Sequence, residues 1–237
     1  MKNCLFCGQQ LKPVLSFSFI FSFQSFAEPL ICASCFEQFH RIDWEQACPG
    51  CSREQADTHL CSDCRTWQKK YPELTLKHHA LFTYNERAQE YLKAYKIQGD
   101  LLLAQLFKKE LQEVLRPYQR NYQLLVLPIS EKSFASRGFN QVSVLLDAAG
   151  ISYQDLLIHN GQGVKQSAKN RQERLMSPQF FDWKAGQELN QKKDKILLID
   201  DIYTTGRTLM HAKNLLGEKN CGREGKPLTI ESFTLFR

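Results

Sequence analysis

Two residue patterns in this 237-residue chain are capable of chemistry. The first is a set of eight cysteines that form four Cys-X-X-Cys pairs within residues 1–64: Cys4/Cys7, Cys32/Cys35, Cys48/Cys51 and Cys61/Cys64. Two thiolates separated by two residues can both turn towards one ion, and two such pairs complete a tetrahedral zinc site. Because a site with four cysteine ligands has no open coordination position, we expect two structural zinc ions.

The pairing and the oxidation state of these cysteines are separate questions. Sequential use of the pairs, with the first two in one site and the last two in the other, needs the shortest chain closures. An interleaved cross-brace is the alternative. Disulfides are another arrangement for so many cysteines, but the sequence lacks the layout of an export signal, so we expect reduced thiols. The ninth cysteine, Cys221, stands apart and is expected to be a free thiol.

The second pattern is the polar run from Asp200 to Thr208, Asp-Asp-Ile-Tyr-Thr-Thr-Gly-Arg-Thr. Adjacent carboxylates can accept hydrogen bonds from a vicinal diol such as that of ribose, directly or through a metal ion. Small hydroxylated residues and a glycine let backbone N–H groups approach a phosphate at the positive end of a helix. A receiver-type magnesium site and a purely structural turn are the alternatives. The order of strand, acid pair, hydroxyl-rich loop and helix favours a phosphate and ribose pocket.

An α/β fold has to position these residues. Apolar runs predict strands over 80–84, 124–127, 195–199 and 230–236. Helical spacing of apolar residues predicts helices over 86–95, 100–115, 140–149 and 209–216. Alternation of strands and helices predicts a parallel sheet flanked by helices, in which ligands bind beyond the carboxyl ends of the strands.

The sequence also suggests a division of the chain. Residues 1–64 are expected to form a zinc-binding module, 65–77 a polar linker, and 78–237 the α/β domain. Within the module, phenylalanines alternate with polar residues over 15–26, which predicts a strand with one apolar face. That stretch is too short and too polar to span a membrane, so we expect a cytoplasmic protein without membrane insertion.

Charge is unevenly distributed along the chain. The total is +6, whereas residues 1–64 contain four Lys or Arg against seven Asp or Glu, a net charge of −3, which leaves +9 for the remainder. Attraction for a polyanion such as single-stranded DNA would therefore belong to the later part. A solvated basic surface is the alternative explanation of the same excess.

The run Ile-Asp-Asp-Ile-Tyr-Thr-Thr-Gly-Arg-Thr resembles the signature with which type I phosphoribosyltransferases hold the ribose 5-phosphate of phosphoribosyl pyrophosphate. More narrowly, the whole chain resembles the ComF family of competence proteins, whose fold is phosphoribosyltransferase-like. The matching segments are the four Cys-X-X-Cys pairs, Lys93 to Asp100, Pro128, Arg137 to Gln141, Gln166 with Arg174, and Asp200 to Thr208.

This resemblance implies a role for each matching position. Asp200 and Asp201 would be the catalytic carboxylates that hold the ribose diol. The 5-phosphate would be bound by Thr204, Thr205, Gly206, Arg207 and Thr208. Lys132 and Arg137 would bind the pyrophosphate, and residues 159–174 would form a mobile loop over the substrate. Magnesium would bridge the pyrophosphate and the ribose oxygens.

The resemblance also implies cytoplasmic handling of incoming single-stranded DNA during natural transformation, with a competence helicase or other DNA-processing proteins as partners. Two functions fit the sequence. One is phosphoribosyl transfer to an acceptor that the sequence does not identify, and it is favoured by a complete phosphate pocket. The other is a non-catalytic adaptor that senses phosphoribosyl pyrophosphate and binds single-stranded DNA, and it is favoured by the lack of a recognisable base-binding element after the last predicted strand.

The cysteine pattern yields a first testable prediction. Purified, reduced protein should contain about two zinc ions per chain, because eight thiolates complete two tetrahedral sites. Elemental analysis of the metal content measures this directly. Protein without zinc, or intramolecular disulfides in freshly lysed cells, would contradict the prediction, whereas a single zinc ion would refute only the two-site arrangement.

Overall fold

A computed structural model describes residues 2–11, 29–74, 76–160, 180–190, 192–218 and 228–237. It contains a four-stranded parallel sheet flanked by helices, together with two clusters of four cysteines. The predicted α/β class and parallel sheet are thereby confirmed. Among the described residues, no helix combines the length and the apolar character required to cross a membrane.

The strands are β1 (His78–Phe82), β2 (Tyr122–Val126), β3 (Leu157–His159), β4 (Phe181–Trp183), β5 (Lys195–Ile202) and β6 (Thr229–Phe236). The α-helices are α1 (Ala33–Phe36), α2 (Ser62–Lys70), α3 (Glu86–Lys96), α4 (Lys108–Asn121), α5 (Glu131–Arg137), α6 (Gln141–Ala149) and α7 (Arg207–Glu218). Short 3-10 turns occur at Trp44–Gln46 and Leu101–Gln105. The main sheet has the order β1-β6-β5-β2, with all neighbours parallel, and β3 pairs with β4 in an antiparallel ribbon.

Strand β5 is longer than the sequence predicts. The apolar run suggests a strand that stops at Ile199, but β6 pairs with β5 as far as the partners Ile202 and Phe236. The two adjacent acidic residues Asp200 and Asp201, called the acid pair below, therefore belong to the carboxyl end of a central strand. This position fixes the two carboxylates more firmly than a loop would, because pairing with β6 continues past them, whereas pairing with β2 ends at Ile199.

The helix predicted over 100–115 is divided in the structure. Asp100 caps the 3-10 turn Leu101–Gln105 by accepting a hydrogen bond from the backbone N–H of Leu102, and α4 starts only at Lys108. The sequence did not indicate helix α5 or the β3–β4 ribbon, because these elements are short and carry little apolar periodicity.

Alternate side chains of β5 point into two hydrophobic cores on opposite faces of the sheet. Leu197 and Ile199 belong to the core that contains the aromatic rings of α3 and the first cysteine cluster. Ile196 and Leu198 belong to the core that contains α7 and the second cysteine cluster. Each cluster is thus packed into one of the two cores.

Helix α2 runs across the boundary that the sequence suggests after residue 64, and its Trp67 is fully buried. The first part of the expected linker is therefore helical and packed, while the division into a module and a domain stays a prediction. The strand expected over 15–26, the loop residues 161–174 and Cys221 lie outside the described part of the chain, and His159 belongs to β3.

Candidate functional site

The eight cysteines gather in the sequential pairing. The two clusters are Cys4, Cys7, Cys32 and Cys35, and Cys48, Cys51, Cys61 and Cys64. Within each cluster all four Sγ atoms lie within 4.8 Å of one another, and the Sγ–Sγ distance is 3.7 Å for Cys7–Cys32 and for Cys51–Cys61. A tetrahedral zinc site with Zn–S bonds of about 2.3 Å has S–S edges of about 3.8 Å. Each cluster could therefore hold one structural zinc ion, and these cysteines form no disulfides.

The turn Cys48-Pro-Gly-Cys51 requires its glycine for a steric reason. A Cβ atom at Gly50 would lie 2.8 Å from Leu60 Cδ2 and 2.9 Å from Cys64 Sγ. Such distances are shorter than ordinary van der Waals contact, so a side chain here would push apart two parts of the second cluster. All four cysteines of this cluster are buried, whereas Cys7 of the first cluster is exposed.

The acid pair lies beside two cations from other segments. Asp201 is only 3% exposed, and its carboxylate forms an ion pair with Lys96 in the last turn of α3. Burial lowers the pKa of Lys96 to about 8, although the nearby Asp200 opposes this shift. Burial also raises the pKa of Asp200 to about 6, and the positive charges of Lys96 and Arg137 oppose that rise. Around neutral pH this site combines two carboxylates with two cationic groups.

The tight turn between α5 and α6 places Arg137 and Gln141 beside the acid pair. Gly138 ends α5 in the left-handed conformation with φ of 79°, which a glycine adopts without strain. Asn140 then caps the start of α6, and its Nδ2 donates to the Leu127 carbonyl at 2.9 Å. Arg137 donates to Gln141 Oε1 at 2.6 Å, while Gln141 Nε2 donates to Asp201 at 3.5 Å. The Arg-Gly-Phe-Asn-Gln block thus acts as a connector between α5, α6 and β5.

The loop after β5 turns sharply at Gly206, whose φ is 77°. A Cβ atom at this position would lie 2.1 Å from the Tyr203 hydroxyl oxygen, so both the conformation and the close approach require glycine. Helix α7 begins at the next residue, and the N–H of Met210 donates to the Gly206 carbonyl at 2.8 Å. The earlier N–H groups of an α-helix have no partner within the helix, which makes this end suitable for an anion.

The predicted site residues differ in their location and in their exposure to solvent. It brings Asp200, Asp201 and Arg137 together beside the loop, whereas Lys132 is exposed in the first turn of α5. Arg207 is 4% exposed, and its guanidinium lies 4.8 Å from the centre of the Phe180 ring. Its side chain therefore packs into the core, while its backbone lies at the start of α7.

The predicted site omitted two polar neighbours of Asp201, Lys96 and Gln141. Both fall in segments that match the ComF pattern, Lys93 to Asp100 and Arg137 to Gln141. That match was the available signal, but the sequence alone does not show that these segments face the end of β5. The remaining Thr204, Thr205 and Thr208 lie at least partly exposed along the loop and the first turn of α7.

The fold and the two clusters define the class as a mixed α/β protein with zinc-finger-type cysteine sites. Competence protein ComFC of Streptococcus pneumoniae (strain ATCC BAA-255 / R6) is 41% identical over 216 residues, which cover 91% of this chain and 94% of that protein. Competence protein ComFC of Bacillus subtilis (strain 168) is 31% identical over 239 residues, with 99% and 94% coverage. No protein-family model matches the chain. The chain belongs to the ComFC family of competence proteins.

The loop geometry predicts a specific cost for one substitution. Gly206→Ala should destabilise the protein by about 2–5 kcal/mol, because strain at positive φ adds to the collision with Tyr203. Gly150→Ala is the matched control, since Gly150 also has positive φ, 64°, but a Cβ atom there meets nothing within 4 Å. It should cost only about 1–2 kcal/mol. Urea unfolding measures both values, and equal costs would show that the Tyr203 contact is absent.

Proposed function

We propose that this protein binds phosphoribosyl pyrophosphate with magnesium at the acid pair and the following loop, and acts on incoming single-stranded DNA during natural transformation. One observation carries the proposal. Two carboxylates at the end of a central parallel strand are followed at once by a glycine turn and the start of a helix. Ligand sites of α/β sheets lie at this place, beyond the carboxyl ends of the strands.

Each part of the ligand has a chemically suitable partner at the site. Carboxylates accept hydrogen bonds and donate none, so Asp200 and Asp201 suit the two ribose hydroxyls. The backbone N–H groups at the start of α7 suit the 5-phosphate. Lys96 and Arg137 lie beside the acid pair and supply positive charge for the pyrophosphate. A ribose with a phosphate at one end and a pyrophosphate at the other matches this distribution of charge.

The donor set at the acid pair also suits magnesium. Proteins commonly bind this ion through one or two carboxylates together with phosphate oxygens of a substrate. Asp200 and Asp201 would hold it, and the ion would neutralise charge on the departing pyrophosphate. Because Lys96 already pairs with Asp201, the carboxylates alone carry little excess negative charge, and the ligand has to supply most of the remaining oxygens.

The two functional alternatives differ in the fate of the bound ligand. Phosphoribosyl transfer needs little general base, since positioning and electrostatic stabilisation of the pyrophosphate contribute most of the rate. An adaptor would bind the same ligand and leave it intact. Release of pyrophosphate from labelled ligand, mixed with magnesium and a panel of bases or single-stranded DNA, distinguishes transfer from sensing. Membership of a competence family supports a role in DNA uptake. We propose a competence helicase or other DNA-processing proteins as partners in that role.

Removing the acid pair tests the ribose assignment. A ligand at a hundred times its dissociation constant stabilises the native state by about 2.7 kcal/mol, which raises the melting temperature of a chain of this size by roughly 5–10 °C. Wild-type protein should show this shift with phosphoribosyl pyrophosphate and magnesium. The double variant Asp200→Asn with Asp201→Asn should show almost none, because amides lose the charge that holds the diol and the metal.

Two controls make this result specific to the acid pair. Asp155→Asn removes a half-exposed carboxylate that pairs with Lys184 on the surface, and it should retain the full ligand-induced shift. Circular dichroism and zinc content should show that the double variant is folded. A folded double variant with an unchanged ligand-induced shift would refute the assignment.

The charge distribution predicts how single-stranded DNA binds. Its affinity should fall roughly tenfold or more between 50 and 200 mM salt and should depend little on sequence, because contacts to phosphates release condensed counterions. Fluorescence anisotropy with labelled oligonucleotides of different sequence measures both properties. Affinity that is independent of salt would contradict binding through the basic later part of the chain.

A further inference from the structure

The second cysteine cluster is connected directly to the loop after β5 by one side chain. The guanidinium of Arg237 donates from Nε to the Cys51 carbonyl at 3.0 Å and from one terminal nitrogen to Cys51 Sγ at 3.2 Å. Its other terminal nitrogen donates to the carbonyls of Tyr203 at 3.3 Å and Thr204 at 3.1 Å. The guanidinium also lies 4.5 Å from the centre of the Tyr203 ring. One planar group thereby spans the metal site and the loop.

A second connection comes from helix α2. Trp67 follows Cys64 of the second cluster by three residues and is fully buried. Its indole N–H donates to the Thr205 carbonyl at 2.7 Å. Three consecutive carbonyls of the loop, those of residues 203–205, are therefore held by donors on the side of the second cluster.

These contacts determine the direction of the loop N–H groups. In a trans peptide the C=O of one residue and the N–H of the next residue point in opposite directions. If the carbonyls of 203–205 face the cluster, the N–H groups of Thr204, Thr205 and Gly206 face away from it. Successive backbone N–H groups that face the same side of a loop can bind an anion such as a phosphate.

We propose that Arg237 and Trp67 are positioning residues that make ligand binding at the loop depend on metal at Cys48, Cys51, Cys61 and Cys64. The inference rests on the proposed phosphate-binding function and adds a requirement to it. The spacing of the four Sγ atoms matches tetrahedral zinc, and the ion would fix Cys51, from which Arg237 takes its position. Loss of the metal would free the Arg237 guanidinium, and the loop carbonyls could then rotate towards the side on which the phosphate binds.

The side chain of Arg237 can be substituted without removing the backbone hydrogen bonds that hold this residue at the end of β6. Its backbone N–H donates to the Phe82 carbonyl at 2.9 Å, and its carbonyl accepts from the N–H of Tyr84 at 2.8 Å. These backbone bonds hold the residue in place whatever its side chain is. A substitution of Arg237 should therefore alter the loop without unfolding the end of β6.

Side-chain variants test the positioning role of Arg237 and Trp67. Arg237→Gln removes the charge and the planar guanidinium, and Arg237→Lys keeps only the charge. Trp67→Phe removes the indole N–H and also reduces the size of a fully buried ring. Arg53→Gln is the matched control, because Arg53 forms an ion pair with Asp63 next to the same cluster. All four variants should retain two zinc ions by elemental analysis.

Hydrogen exchange supplies a readout without ligand. The N–H groups of Tyr203 and Met210 flank the loop and donate to the carbonyls of Phe236 and Gly206. Their exchange should accelerate about tenfold or more in Arg237→Gln, since hydrogen bonds from a charged group are lost, and by less in Arg237→Lys and Trp67→Phe. The control should exchange at the wild-type rate. Wild-type exchange in Arg237→Gln would overturn the proposal.

Ligand binding and metal removal complete the test. The thermal shift with phosphoribosyl pyrophosphate and magnesium should disappear in Arg237→Gln and persist in the control, and a full shift in Arg237→Gln would also overturn the proposal. Cys48→Ser should lose one zinc and show the same fast exchange, whereas Cys7→Ser, in the first cluster, should lose one zinc and keep slow exchange. If Cys48→Ser does not fold, wild-type protein stripped of zinc by a chelator takes its place, and exchange that stays slow after both ions are lost would overturn the proposal. Absence of a ligand-induced thermal shift in wild-type protein would refute the proposed function. Hydrogen exchange would still test the positioning role of Arg237 and Trp67.

Discussion

The buried carboxylate of Asp201 imposes the constraint on which the site depends. An unpaired charge in a protein interior costs several kcal/mol, so a buried carboxylate has to meet a cation or several donors. Lys96 provides the cation from α3, and Gln141 provides a donor from α6. Pairing at this one point brings together segments that are 45 to 105 residues apart in sequence. The same pairing orders the residues that would surround a phosphorylated sugar.

The two cysteine clusters contribute to the structure in different ways. The first packs with an aromatic core in which Phe39 and Phe107 lie 5.0 Å apart, ring centre to ring centre. The second packs on the opposite face of the sheet and reaches the loop after β5 through Arg237 and Trp67. Metal at the first cluster would therefore support the fold, and metal at the second would also shape the site. Through these contacts, a closed zinc site would influence binding without touching the ligand.

Much of this arrangement can be predicted from local sequence. The Cys-X-X-Cys spacing predicts the clusters, and the apolar runs predict the strands that form the parallel sheet. Local sequence does not determine how far β5 extends, because that depends on its pairing with β6. It also does not reveal that Arg207 turns towards Phe180, or that Trp67, in a segment that looks like a linker, supports the loop. These features depend on contacts between distant segments, which spacing within one segment cannot encode.

The most direct measurement is an experimental structure of the protein with phosphoribosyl pyrophosphate and magnesium. We expect the ribose hydroxyls at the carboxylates of Asp200 and Asp201, and the 5-phosphate against the N–H groups of residues 204–208. We also expect the Arg237 guanidinium to remain in contact with Cys51 and the loop carbonyls. A ligand bound elsewhere, or a loop whose carbonyls face the phosphate, would contradict the proposed site.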